Sequence, residues 1–313
     1  MRLAAAEEFQ AVPDVEVVMG LDPRFASDAA AWETSMLDGR TETLVAAARR
    51  CDVTLLIAPE TGGVLEGLVR TLEDEGVPTL NSRPDAVAVC GHKVRLADHL
   101  TAAGIRVPES VEFDPARSGR PAFDLAVVKP VDGAGSVETY RVDVDSRRPA
   151  QLDPSLRWMI QPYQHGNAMS ASYLVDGSGE IALLAVGRQE VEVIDGRFTY
   201  LGGRLPESRE FGTREPLNAV RSVNGLKGFV GVDFVASEDG ETLTVLEINP
   251  RLTTSFVALR RLVDPGTIAE AWLGTGMGRK ISETFRRAEA SEPRRIITFS
   301  ADGRVTEGLR EDR

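Results

Sequence analysis

Residues 228–256 read GFVGVDFVASEDGETLTVLEINPRLTTSF, and the fold is decided here. Val230, Val232 and Phe234 alternate with Gly231 and Asp233, while Leu246 and Ile248 alternate with Glu247 and Asn249. Successive side chains of a strand point to opposite faces, so each run predicts a strand. Residues 237–241 (SEDGE) are a polar, glycine-containing turn between them, which makes the pair a hairpin. A turn centred near Asp239 sets Asp233 at or close to Glu247. The alternation then puts Asp233, Glu247 and Asn249 on one side. Val232, Phe234, Leu246 and Ile248 share the other, which can bury against a core.

Two neighbouring carboxylates repel each other unless one is protonated or a cation neutralises them. An all-oxygen cluster with a neutral amide suits Mg²⁺, a hard ion often shared with phosphates. Arg251 extends the same row, and a fixed guanidinium there could clamp a phosphate or a developing negative charge. The same residues also read as a solvated hairpin face with an ion pair.

The string VLEINPR, preceded by GFVGVDF and followed by LTTSF, resembles the metal-binding signature of the ATP-grasp ligases. With the continuation LTTSF it resembles the branch that includes the tyramine–glutamate ligases of methanofuran synthesis. That branch is related more distantly to the pyrrolysine-biosynthesis ligases and to carbamoyl-phosphate synthetase. The resemblance spans roughly residues 53–273. It implies that Asp233, Glu247 and Asn249 hold Mg²⁺ (or Mn²⁺) against ATP.

Composition sets the outer bounds. A chain of 313 residues can bury two or three subdomains. With 42% hydrophobic and 27% charged residues it has the profile of a soluble globular protein. A net charge of −12 argues against nucleic acid or an anionic membrane as partner. Cys51 and Cys90 form no disulfide or metal pattern and fit a reducing cytoplasm. No apolar run reaches membrane-spanning length. The first ten residues, MRLAAAEEFQ, read as the end of a helix already in progress, and the resemblance implies a strand and helix before them.

Along the chain, strands are expected at 15–19 and 53–57, with helices at 40–50 and from Thr61 to about 75. Strand and helix alternate, which predicts a small parallel α/β domain over residues 1–90. Glu60 lies in the loop APETGG, at the C-terminal edge of a strand, where ligands favour open α/β sheets. It could face a substrate amine, or it could be a helix N-terminal acid favoured by the helix dipole.

The expected fold is therefore α/β, with α+β lobes in an ATP-grasp domain over residues 91–280. Its lobes are expected at about 91–160 and 161–280, and residues 281–313 form a partly mobile tail. In the first lobe a helix starts at His92-Lys93, and a strand over 124–129 ends in Lys129-Pro130. The following VDGAGS carries Gly133, Gly135 and Ser136, a turn whose N–H groups can approach phosphate oxygens. It is neither a Walker A loop nor a Rossmann fingerprint. The resemblance implies that Lys93 and Lys129 contact nucleotide phosphates. His92 departs from the Asp that usually precedes this lysine.

The resemblance also implies that Gln161, Pro162 and Tyr163 form a hinge against which adenine lies. Beyond it, strands are expected at 168–175, 181–189 and 198–201, then a helix at 216–226 leading into the hairpin. Arg188 and Gln189, at a strand end, could meet a substrate carboxylate or simply be exposed. Thr253, Thr254 and Ser255 offer hydroxyls for a helix N-cap or for the acceptor substrate. A helix over 266–273 and one strand over 296–299 complete the chain.

Three functions compete. In a carboxylate–amine ligase, ATP phosphorylates a carboxylate and an amine attacks the acyl phosphate. That chemistry needs positioning and charge, with Arg251 and Lys129 stabilising the transferring phosphoryl. The resemblance points to glutamate joined to tyramine, tyrosine or a related amine in one-carbon cofactor synthesis, with small-molecule carboxylate and amine partners. A homodimer is left open. The second reading is an ATP-binding regulatory or phosphotransfer module on the same fold. The third is an α/β interaction protein with a purely structural hairpin. That leaves the order of Lys129, the glycine loop and the Glu-Ile-Asn-Pro-Arg string unexplained.

Overall fold

The computed structural model describes residues 1–24, 32–114, 123–133, 136–143, 152–207, 213–276, 281 and 295–309. The first domain holds helix α1 (Arg2–Gln10), the parallel pair β1 (Val18–Leu21) and β2 (Glu33–Met36), and helix α2 (Thr41–Ala48). A 3-10 turn at Thr61–Gly63 leads into α3 (Val64–Asp74), followed by α4 (Pro84–Gly91). Val45, Leu65, Val69, Leu72, Val77 and Val87 close its core.

Two expectations are corrected here. The strand expected at 15–19 starts later, at Val18, and β2 carries no alternation that would have announced it. The run at 53–57 is no regular strand. It makes one parallel bridge, Thr54 to Thr79, and the backbone of Leu56 is then taken up by a side chain. Asn81 donates from Nδ2 to Leu56 O at 2.9 Å and accepts from Leu56 N at 2.8 Å. A buried amide thus replaces the ladder that another strand would supply.

Helix α5 (Lys93–Ala102) opens the second part. A small antiparallel group follows: β3 (Val111–Phe113), β4 (Leu125–Pro130), β5 (Tyr140–Asp143) and β6 (Trp158–Pro162). Ala126, Val128, Trp158 and Ile160 are its buried core. Next come β7 (Asn167–Val175), β8 (Ile181–Ile194), β9 (Arg197–Leu205), helix α6 (Arg214–Ser222), β10 (Gly228–Ala236) and β11 (Leu243–Asn249). The two groups meet where β5 pairs with β9 through Tyr140 and Arg197, so one sheet runs β11-β10-β7-β8-β9-β5-β4-β6-β3.

Helices α4, α5 and α6 cover one face of the hairpin. Cys90, Leu96, Leu100, Ala219 and Val220 meet Val230, Val232, Phe234, Val245 and Ile248 there. The chain ends with α7 (Phe256–Leu259), α8 (Thr267–Gly276), β12 (Arg295–Ser300) and β13 (Val305–Leu309). Phe9 of α1 packs against Trp272 of α8 with ring centroids 5.7 Å apart, and Trp272 Nε1 donates to Leu80 O at 3.2 Å. The C-terminal stretch adds one strand beyond the single one expected. Residues Val305–Leu309 pair antiparallel with β12, turned by Asp302 and Gly303, whose φ is +84°. Asp-Gly between two runs of β-branched residues is a hairpin signal.

Candidate functional site

The face of the large sheet opposite the helices, together with the small antiparallel group, encloses a cleft of about 400 Å³. On its floor, β10 and β11 place Asp233 directly opposite Glu247 and Gly231 opposite Asn249. Asp233 Oδ2 accepts from Asn249 Nδ2 at 3.0 Å, and Oδ1 accepts from Gln189 Nε2 at 2.8 Å. The three oxygen-bearing side chains converge as the alternation predicts.

One side chain does not follow it. The register slips between Asp233 and Phe234, so that Phe234 pairs with Val245 and Leu246 is an extra residue. A bulge of this kind turns two successive side chains the same way. Val245 takes the core position, and Leu246, expected on the apolar face, lines the cleft. Val127, Val191, Val193 and Phe198 extend this apolar section beside Tyr163, enough to cover a flat ring.

The lysines come from the opposite wall. Lys93, first residue of α5, donates to Gly133 O in the glycine loop and sits 3.3 Å from Glu247 Oε2. His92 caps the same helix, its Nδ1 accepting from Arg95 N at 3.3 Å. The departure at this position is therefore a change of cap and leaves Lys93 in place. Lys129 is buried at the end of β4, and burial draws its ammonium down to about 8. Burial raises Asp233 well above the ordinary carboxylate range, and the charge of Glu247 adds to this. Burial also pushes Glu247 up, but Lys93 and Lys129 outweigh it and hold its carboxylate low.

That donor set fits a hard divalent cation. Carboxylate and amide oxygens are its preferred ligands, and a cation would offset both the burial of these acids and their mutual repulsion.

Most other expected residues reach the same cleft. Ser136, Gln161, Tyr163, Arg188, Arg251, Thr253, Thr254 and Ser255 line it. Pro162 ends β6 without lining it, and Gly135 lies outside the described residues. Ser255 is 2.7 Å from Thr253 Oγ1 and 3.3 Å from Ser172 Oγ, so these hydroxyls form a chain along the wall. Ser255 precedes α7 but makes no side-chain cap bond. Glu60 does not line the cleft, nor does its side chain cap a helix. Its Oε2 accepts from Arg251 Nε at 2.7 Å. Several lining residues had no place in the site as read from the sequence, among them Leu246, Tyr200 and Ser170. Ser170 lies opposite Asp233 across β7 and β10, so strand register carries the signal for it.

Comparison with known proteins agrees with this layout. A family model for the ATP-grasp domain matches residues 90–255, and one for the pre ATP-grasp 3 domain matches residues 15–87. The tyramine–L-glutamate ligase of Methanocaldococcus jannaschii is 27% identical over 214 residues, which is 67% of this chain and 58% of that protein. The chain thus spans less than two thirds of that relative's length. The carbamoyl phosphate synthase large chain of Kocuria rhizophila is 26% identical over 293 residues, 80% of this chain and 24% of that one. The L-amino acid ligase from Bacillus licheniformis superposes with a TM-score of 0.71 at 18% identity, covering 94% of this chain and 76% of that one. No described helix is long and apolar enough to cross a membrane.

Proposed function

The chain belongs to the ATP-grasp family, and we propose that it is an ATP- and Mg²⁺-dependent (or Mn²⁺-dependent) carboxylate–amine ligase. The observation that carries this reading is the buried Asp233–Glu247 pair, faced across one cleft by Lys93 and Lys129. Asp233, Glu247 and Asn249 would hold the cation. When bound, it supplies charge neutralisation between the phosphates of ATP and these acids.

The remaining roles fall to the chain's own groups. Lys93 and Lys129 hold phosphate oxygens, Lys93 while also tied to the glycine loop at Gly133. Leu246, Phe198 and Tyr163 cover the base, and Gln161 stands at the hinge. The γ-phosphoryl passes to a substrate carboxylate with release of ADP. The amine then attacks the acyl carbon and phosphate leaves, so no protein nucleophile is required. Arg251 stabilises the charge that develops on the acyl phosphate. Arg188 and the hydroxyls of Thr253, Thr254 and Ser255, which line the cleft, would meet the carboxylate and amine substrates. Glutamate with tyramine, tyrosine or a similar amine are the substrates of choice, because a relative 27% identical over 67% of the chain is a tyramine–L-glutamate ligase. Residues 1–90 then form the pre-ATP-grasp domain and residues 91–280 the ATP-grasp domain.

The test is ADP release from Mg·ATP with glutamate and a panel of primary amines, with mass analysis of the product. Amine-dependent ADP and an amide product are expected. ATP binding with no amine-dependent ADP in any pairing would overturn ligation in favour of a regulatory or phosphotransfer module.

A further inference from the structure

The loop before α3 belongs to the first domain, yet it touches the second at two points beside the cleft. Gly62 N donates to Asp132 Oδ2 at 2.9 Å, next to the glycine loop. Glu60 reaches the other way, to Arg251 just past the hairpin. Both partners are largely buried, with 14% of the Arg251 side chain and 8% of the Glu60 side chain exposed.

The bonds of Arg251 are unevenly distributed. Nε donates to Glu60 and Nη1 donates to Leu252 O at 3.1 Å. Nη2 has no acceptor among the described residues, while the side chain lines the cleft. A guanidinium is a rigid plane, so fixing two of its nitrogens sets the direction of the third. Glu60 in turn is held in place. Its Cβ lies 3.3 Å from where a side chain on Gly91 would begin, so the backbone of α4 packs closely on it. Its Oε1 is buried without a hydrogen bond among the described residues. Leaving such an oxygen unpaired carries a desolvation cost, which the charged bond on Oε2 offsets.

We propose that Glu60 is a positioning residue for Arg251, by which the first domain aims a guanidinium edge into the cleft of the second. It acts through Arg251 and touches no substrate, its carboxylate being closed to solvent. The kinetic part rests on the ligase reading, whereas the geometric part does not.

Two measurements separate them. The first is a crystal structure of Glu60→Ala beside that of the unaltered protein. The expected result is an Arg251 guanidinium rotated away from its native place, and an unchanged guanidinium would overturn the proposal whether or not the protein ligates anything. The second is steady-state ADP release, together with the ATP dissociation constant. Glu60→Ala is expected to lower kcat about 100-fold, the scale set by a misplaced group of about 1 Å, with ATP affinity kept within about twofold. Glu60→Gln keeps an acceptor for Nε and is expected to restore most of kcat, which also covers the case in which the alanine variant does not fold. The double variant Glu60→Ala, Arg251→Ala should be no slower than Arg251→Ala alone. Additive losses in that cycle would overturn the proposal.

Discussion

Lys93 Nζ lies 3.3 Å from Glu247 Oε2, joining the start of α5 to the second strand of the hairpin. The contact links the wall that carries the two lysines to the floor that carries the acids. Both side chains are shielded, with 10% and 21% exposed, so salt screens the pair less than it would at the surface.

Replacing Glu247 by Gln removes the charge that faces both lysines and Asp233. ADP release should fall at least about 100-fold, the scale of losing one electrostatic group in a preorganised site. The melting temperature should stay within a few degrees, because repulsion with Asp233 is lost along with the attraction to Lys93. Wild-type turnover in this variant would take Glu247 out of the cation site.

Leu246 tests the bulge. Its truncation to Ala should weaken ATP binding about 5- to 30-fold, a loss of about 1–2 kcal/mol for apolar contact with the base. Val245→Ala should behave differently. Val245 is fully buried in the core, so that change should cost stability and leave nucleotide affinity nearly unaltered. Titration calorimetry and thermal melts distinguish the two, and equal effects on both quantities would mean the register is wrong.

Asn81 carries the backbone of Leu56 on both its amide atoms. Asn81→Ala leaves a buried N–H and C=O unpaired and should destabilise by about 2–4 kcal/mol, read from chemical denaturation. Loss of less than about 0.5 kcal/mol would show that water replaces the amide.

Cys90 is buried, and burial, reinforced by the charge of Glu60, pushes its thiol up. The thiolate is the reactive form, so Cys90 should resist alkylation by iodoacetamide in the folded protein. Cys51 is partly exposed and should be labelled first. Peptide mapping after brief exposure checks the order.

The hairpin could be read in the sequence because period-two alternation and a polar turn are both local signals. They place Asp233 opposite Glu247, as observed. Leu246 escaped because a bulge is set by pairing with the neighbouring strand, and nothing within the run itself announces it. The stretch around Leu56 looked like a strand because its residues are apolar and β-branched, while the group that completes its hydrogen bonds sits 25 positions away in Asn81. The partner of Glu60 was illegible for the same reason: Arg251 is 191 positions distant. Lys93 had no local mark of function and only the family resemblance singled it out, whereas Lys129 stood directly before the glycine turn. The strand at Val305–Leu309 did have a local signal in Asp302-Gly303, and there the charge of the last residues hid it.

The seam between β5 and β9 has a mechanical side. Around Tyr140 and Arg197 it is fastened by two backbone bonds, Arg141 N to Gly196 O at 2.6 Å and Phe198 N to Thr139 O at 2.9 Å. Two such bonds are worth about 2 kcal/mol net, little against the long ladders on either side. Backed by one further ion pair, Arg197 to Glu138 at 3.1 Å, this is the shortest ladder in the sheet, and amide deuteration is expected to begin there before it reaches β7, β10 and β11.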